Sequence, residues 1–552
     1  PLRDCLEHKV KSWPRKKRFD RIIKTKRFIK AFLQVTNGIQ IDGEIRLVGT
    51  AQLVRNSGAN SITGAGSLFR DQESVSTNVY QSGYWSSPVT TNGTTYTISG
   101  VLKDGTVGTS AIALAGAAAN INFTNASILD GSKTTPITIS GKWLAKLVND
   151  TDWTREIDPA TEIFNPGEGW NMKTTGGGTQ NFTFFGIPND GTYTSTINSS
   201  RLSLVGNPYP SALDADAFIA DNAASITGTL YFYDSGNDNS HNTAAYTGGY
   251  ATRVSGMGTA FGGGSTPGQY IPIGQGFFVT RDAGGIGTIT FQNSQRTFQT
   301  VGASSLLYTK SNTKQARISN SGFPIIKLGF EFDVSDTKKY HRQLAIGFRG
   351  LTNAFEVGYD AEMFDRQPSD LALSIDDKDL PFVISGTESY NEDLEIPLQL
   401  FLDESRNVTF KIDEIQNLNA SIYIYDNVEL KTYKISDNPL VLNLEAGEYK
   451  GRFSLIFKDR TSIASLGTED QILKNGISIF HNDETNRLII NSNKGVLINE
   501  ISIHNILGQK IGVWNNINSI NTHIKTDKIK PNLYIIKLST NEGVLSKKII
   551  IK

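Results

Sequence analysis

The sequence predicts an all-β chain built of tandem β-sandwich modules. Three observations carry that expectation. Fifty-two glycines stand against only 17 prolines, among abundant Thr, Ser and Asn, which is the composition of short strands joined by tight turns. Apolar residues recur at every second position in short runs, the period of half-buried strands. No run of about 18 apolar residues occurs, so no helix is expected to span a bilayer. At 552 residues the chain is too long for one core, and several modules are expected.

Charge and sulfur content set limits. Lys plus Arg total 54 and Asp plus Glu total 54, so no net field draws nucleic acid, an anionic membrane or an acidic substrate. A single cysteine, Cys5, rules out an internal disulfide and leaves the redox compartment open.

Residues 1–34 contain KSWPRKKRFDRIIKTKRFIK. The basic residues interrupt any apolar core of a signal peptide, so this segment is expected to be solvated and poorly ordered, with the true N-terminus missing. Residues 35–65 follow as VTNGIQIDGEIRLVGTAQLV and beyond, where Ile39, Ile41, Ile45, Leu47 and Leu53 alternate with polar residues. Short runs with Asn-Gly and Asp-Gly turns suit a hairpin or the last rungs of a β-solenoid, and the solenoid remnant is the preferred reading.

Residues 66–315 read as one large Gly/Thr/Ser-rich sandwich, with WNMKTT, NFTFFGI, RLSLVGNPY, GTLYFYD and QGFFVT as strands. One short helix is expected in SALDADAFIADN, with Ser211 as its cap. A second sandwich is expected over 316–460, from strands such as IIKLGFEFDV, RQLAIGF, NVTFKID and GRFSLIF. Residues 461–471, TSIASLGTEDQ, form a linker, and 472–552 a small terminal sandwich.

That terminal module resembles the type A C-terminal sorting domain of the type IX secretion system, found on exported proteins of the Bacteroidetes. Three blocks carry the resemblance. ISIF, HNDE and NRLIIN follow the strand, turn, strand order of the first, although the turn at His481 to Glu484 departs from the family's Tyr-Pro-Asn-Pro. ISIHNILGQKI supplies the second through Gly508, Gln509 and Lys510, and NLYIIKLSTNEGVLSKKIIIK the third through Leu533, Tyr534, Lys537, Lys547 and Lys548. Upstream, GYWSSPV, GEGWNM, LVGNPYPSALDADAF and IGQGFFV are similar to modules of large flavobacterial surface proteins. The resemblance implies export, recognition of the last module by an outer-membrane translocon and its sorting machinery, and a secreted or cell-surface location on the outer face of the outer membrane.

Catalytic motifs are lacking. The six histidines show no pair at metal-ligand spacing, and no G-x-S-x-G stands in the sequence. Asp214 and Asp216 lie at i and i+2 of the expected helix, on different faces, and read as capping and solvated groups. DSGNDNS offers Asp234, Asn237, Asp238 and Asn239 as oxygen ligands of the kind calcium accepts; a polar loop is the plainer reading. Tyr84, Trp85, Trp170, Tyr209 and Tyr270 offer aromatic faces for sugar stacking, Trp85 and Trp170 above all, against core packing as the default. Three readings follow: a non-catalytic, adhesin-like or structural exported protein without cofactor; a carbohydrate-binding protein using calcium or aromatic stacking; and a secreted hydrolase assembled from distant strands.

Overall fold

The computed structural model describes residues 21–23, 27–29, 32–35, 38–55, 62–105, 118–149, 152–197, 202–236, 238–299, 322–336, 338–460, 477–482, 485–492, 496–505, 507–541 and 543–551. Strand makes up 55% and helix 5%, so the chain is nearly all-β. It divides into two compact units, one of residues 1–422 with 435–457 and one of 423–434 with 458–552.

The first unit opens on parallel ladders. Ile39–Ile41 lies parallel between Arg21–Ile23 and Ile62–Thr63, Glu44–Leu47 between Arg27–Ile29 and Ser67–Ser76, and Gln52–Val54 beside Phe32–Gln34. Turns stacked this way are β-solenoid rungs, each burying its apolar residues against the next. Ile39, Ile41, Ile45, Leu47 and Leu53 all enter the shared core, each contributing about 1.5–3 kcal/mol of burial. Within 1–34, expected to be poorly ordered, Arg21–Ile23, Arg27–Ile29 and Phe32–Gln34 form strands of these ladders. The basic residues there are interleaved with Ile22, Ile23, Phe28, Ile29, Phe32 and Leu33, enough apolar text for a rung; residues 1–20 lie outside the described ones.

The solenoid runs into the first sandwich without a break. Ser67–Ser76 pairs parallel with Glu44–Leu47 on one side and antiparallel with Gly178–Pro188 on the other, and one core extends from Val35 to Phe184. A second core gathers Val205, Tyr209, Phe218, Phe232, Phe277 and Phe291. The stretch expected to be one sandwich therefore holds two cores. The helix Ala215–Asp221 forms as expected and contributes Phe218 to the second core, but its cap is Asp214, whose carboxylate accepts from the amides of Asp216 and Ala217. Ser211 instead accepts from Nε of Arg296, and Asp216 pairs with Arg253 at 2.6 Å.

The next sheet runs in the order Gly447–Ile456, Glu395–Leu402, Asp370–Ile375, Lys378–Thr387, Lys338–Phe348, Ile325–Ser335, Arg406–Gln416, Leu440–Leu444. All its neighbours are antiparallel except Lys338–Phe348 with Lys378–Thr387. Alternation buries Leu328, Phe330, Leu344, Ile346 and Phe410 on one face.

The second unit holds the hairpin Tyr423–Asp426 with Lys431–Lys434 and a two-sheet sandwich. One sheet orders Ile477–Asn482, Arg487–Ser492, Asn521–Lys525, the other Lys510–Ser519, Ile498–Asn505, Asn532–Thr540, Gly543–Ile551. Ile479, Leu488, Ile490, Ile501, Ile503, Ile536 and Leu538 fill the space between them.

Candidate functional site

Strands Ser82–Trp85 and Trp170–Lys173 pair antiparallel, placing Trp170 opposite Trp85, Asn171 opposite Tyr84 and Lys173 opposite Ser82. Successive residues of a strand point to opposite faces. Trp85, Trp170 and Met172 therefore enter the core with Phe182, Phe184 and Phe164, and Tyr84 and Lys173 take the other side. Trp85 and Trp170, offered as sugar-stacking candidates against core packing as the default, are fully buried and present no face to a ligand. Tyr209 is fully buried as well, its hydroxyl donating to the carbonyl of Gly191.

The opposite side carries an aromatic surface that includes Tyr84, one of the stacking candidates of the sequence reading, together with residues that reading did not name. Tyr84, Tyr231, Phe278 and Leu204 form its floor, and Trp153, Tyr233, Tyr250 and Phe364 stand half-buried against it. Tyr84 stacks on Tyr233 at 5.4 Å and lies 5.8 Å from Trp153. Hydroxyls fringe the rings: those of Tyr84 and Tyr250 are 3.4 Å apart, and that of Tyr233 donates to Asp238. Desolvation holds the Tyr250 phenol up at about 12.

Beside this surface sits a polar cluster. Nζ of Lys173 lies 3.1 Å from Nδ1 of His241, whose Nε2 is 2.6 Å from Oδ1 of Asp130. The ammonium can only donate, so Nδ1 accepts and the proton of the imidazole sits on Nε2, facing the carboxylate. The Lys173 ammonium lies 3.9 Å from the Trp143 ring centroid and 4.9 Å from that of Tyr246. The Trp143 ring also stacks on His241 at 4.9 Å, and Tyr80 meets the imidazole edge-on at 4.7 Å. Desolvation lowers the Lys173 amine to about 8, against the opposing pull of Asp238 and Asp130.

The loop expected to offer calcium ligands closes this cluster. Asp238 is buried, its carboxylate accepting from the amide and hydroxyl of Thr247 as well as from Tyr233, and burial raises its affinity for a proton. Asp234 accepts from the amide of Gly236. Asn239 is exposed, and Asn237 lies outside the described residues. Asn78 and Gln81 donate to the carbonyls of Asp238 and Gly236 and tie the loop to the preceding turn. Among the described residues no three His, Cys, Asp or Glu side chains are grouped to hold a metal. His241 and Asp130 stand 111 positions apart, which is why no spacing rule finds them.

In the terminal module, Asn505 caps the turn before Lys510, accepting from the amides of Leu507 and Gln509. Gly508 sits there at φ +79°, a conformation that favours glycine. Gly508, Gln509, Lys510, Leu533, Lys537 and Lys548 are exposed. Tyr534 turns inward, its hydroxyl donating to the carbonyl of Lys530, and Lys547 donates across to the carbonyl of Ile479 in the other sheet. Tyr534 is buried and holds the module together, whereas Lys547 is exposed as well as bonded.

A family model described as "Secretion system C-terminal sorting domain" matches residues 478–552, over the sandwich just described. The chain is an exported protein, a type IX secretion substrate with a type A C-terminal domain, and that domain implies interaction with the secretion machinery. A second model, described as "Domain of unknown function (DUF8693)", matches residues 119–457, more than half of the chain. The chain belongs to that family. No curated protein matches it significantly. Among the described residues no helix is long and apolar enough to cross a membrane.

Proposed function

We propose that this chain is a non-catalytic, adhesin-like binding protein, placed on the outer face of the outer membrane or released, and that it holds an extracellular glycan. One observation carries the reading: the half-buried rings of Trp153, Tyr233 and Tyr250 over the Tyr84 floor, fringed by hydroxyls. Sugar rings offer apolar C–H faces and polar edges, which aromatic faces beside a few polar groups suit. Calcium is not needed in this reading, because Asp238 already accepts from Thr247 and Tyr233.

Screening the chain on a glycan array, with and without Trp153→Ala, tests it. A glycan bound by the parent, unaffected by chelator and lost in the variant, supports the reading. No bound glycan, or equal binding by both proteins, overturns it.

A further inference from the structure

The Asp130–His241–Lys173 arrangement is more than a surface ion pair. Asp130 is 63% exposed, His241 16% and Lys173 only 3%, so the relay leads from solvent to a buried amine. Nδ1 of His241 accepts from the amine, Asp130 backs the imidazole, and Asp238 supplies a further negative charge. The remaining surroundings are the faces of Trp143 and Tyr246. Burial strips the ammonium of water and outweighs the pull of Asp238 and Asp130, so the lysine gives up its proton more readily than an exposed one, which is the setting of nucleophilic lysines.

We propose that Lys173 is a carbonyl-reactive amine that condenses with an aldehyde to form an iminium, with His241 carrying the protons. The ammonium passes a proton to Nδ1 of His241, whose Nε2–H stays on Asp130. The freed amine lone pair forms a C–N bond to the carbonyl carbon while the C=O π pair moves to oxygen. His241 returns the proton to that oxygen, takes a second from nitrogen and delivers it likewise; the oxygen leaves as water. Two protons pass from nitrogen to oxygen, no electrons leave the system, and the positive charge remains on nitrogen. The iminium then occupies the place of the ammonium between Trp143 and Tyr246, with the same cation–π stabilisation. An amine that titrates near 8 has far more free base at neutral pH than an ordinary lysine. Lys173 is only 3% exposed, so the aldehyde must be small or the open-chain end of a slender sugar.

The proposal does not depend on glycan binding at the aromatic surface. Its test is reductive trapping on the full chain with sodium cyanoborohydride, using glycolaldehyde in one arm and lactose in the other, followed by peptide mapping. Lys173 is expected to label at least about tenfold faster than an ordinary lysine, with the exposed Lys339 and Lys378 as internal references. His241→Ala slows labelling at Lys173 and leaves the reference lysines unchanged, and Lys173→Arg abolishes the adduct. Labelling by glycolaldehyde alone assigns a small aldehyde, and labelling by both assigns a sugar end. Labelling of Lys173 no faster than Lys339 in either arm overturns the proposal, and the parent chain alone decides this should a variant fail to fold.

Discussion

Nζ of Lys173 donates a 3.1 Å hydrogen bond to Nδ1 of His241, and this contact fixes the imidazole tautomer and joins the strand Trp170–Lys173 to the loop that carries His241. The native state keeps the lysine amine at about 8, well below the roughly 10.4 of an unfolded chain. Between those values the unfolded chain binds more protons, so stability rises with pH there and is flat below. Urea melts from about pH 7 to 10 are expected to show this rise, and Lys173→Met is expected to remove it while keeping the volume between the rings. A rise that persists in the variant contradicts the assignment.

Arg342 is buried in the second sandwich and grips Asp370 with two nitrogens, at 3.0 and 2.7 Å, while a third reaches Asp365 at 3.1 Å. Removing Asp370 leaves the buried guanidinium with Asp365 as its remaining carboxylate partner and takes away two of its hydrogen bonds. Asp370→Ala is expected to cost about 3–5 kcal/mol in urea unfolding; a loss below about 1 kcal/mol would show that the network relaxes around the gap.

Glu331 and Asp413 lie 3.0 and 2.9 Å from the two ring nitrogens of His341, and Lys411 pairs with both. Hydrogen bonds and charge from Lys411 and His341, with a further bond to Asp413 from Gln343, outweigh desolvation and hold both carboxyls below their ordinary range. Their contribution is fully present above about pH 4.5 and is lost as pH falls through the depressed folded values. Acid titration of stability is expected to fall less steeply in Glu331→Gln than in the parent, whereas matching acid limbs would count against the cluster.

Gly228 adopts φ +81°, and a Cβ there would lie 2.4 Å from Cα of Gly358. Backbone strain and overlap add, so Gly228→Ala is expected to lower stability by about 2 kcal/mol or more. A melt within about 0.5 kcal/mol of the parent would mean that the two segments separate without cost.

Much of this fold is written locally. Alternation in Ile39 to Leu47 places the rung core, and the spacing of apolar residues in NLYIIKLS and VLSKKIIIK places the last two strands. Alternation also says that Tyr84 and Trp85 face opposite ways, but not which side a second layer will cover. That depends on residues brought in from Phe182 and Phe184, and so alternation alone does not choose between Tyr84 and Trp85, both of them stacking candidates. The helix cap is Asp214 and not Ser211 because Ala212–Asp214 runs as a strand and delays the helix to Ala215. The lysine cluster left no local trace: Asp130, Trp143, Lys173 and His241 come from separate segments, and only the sheet register and the closing loop unite them.

Export of the full chain compared with a chain lacking residues 478–552, in a bacterium with an intact type IX system, tests the account most directly. The full chain is expected at the cell surface or in the medium, and the shortened one in the periplasm with its remaining sandwiches folded. Equal export of the two would contradict the account, reducing the terminal sandwich to an ordinary β-domain.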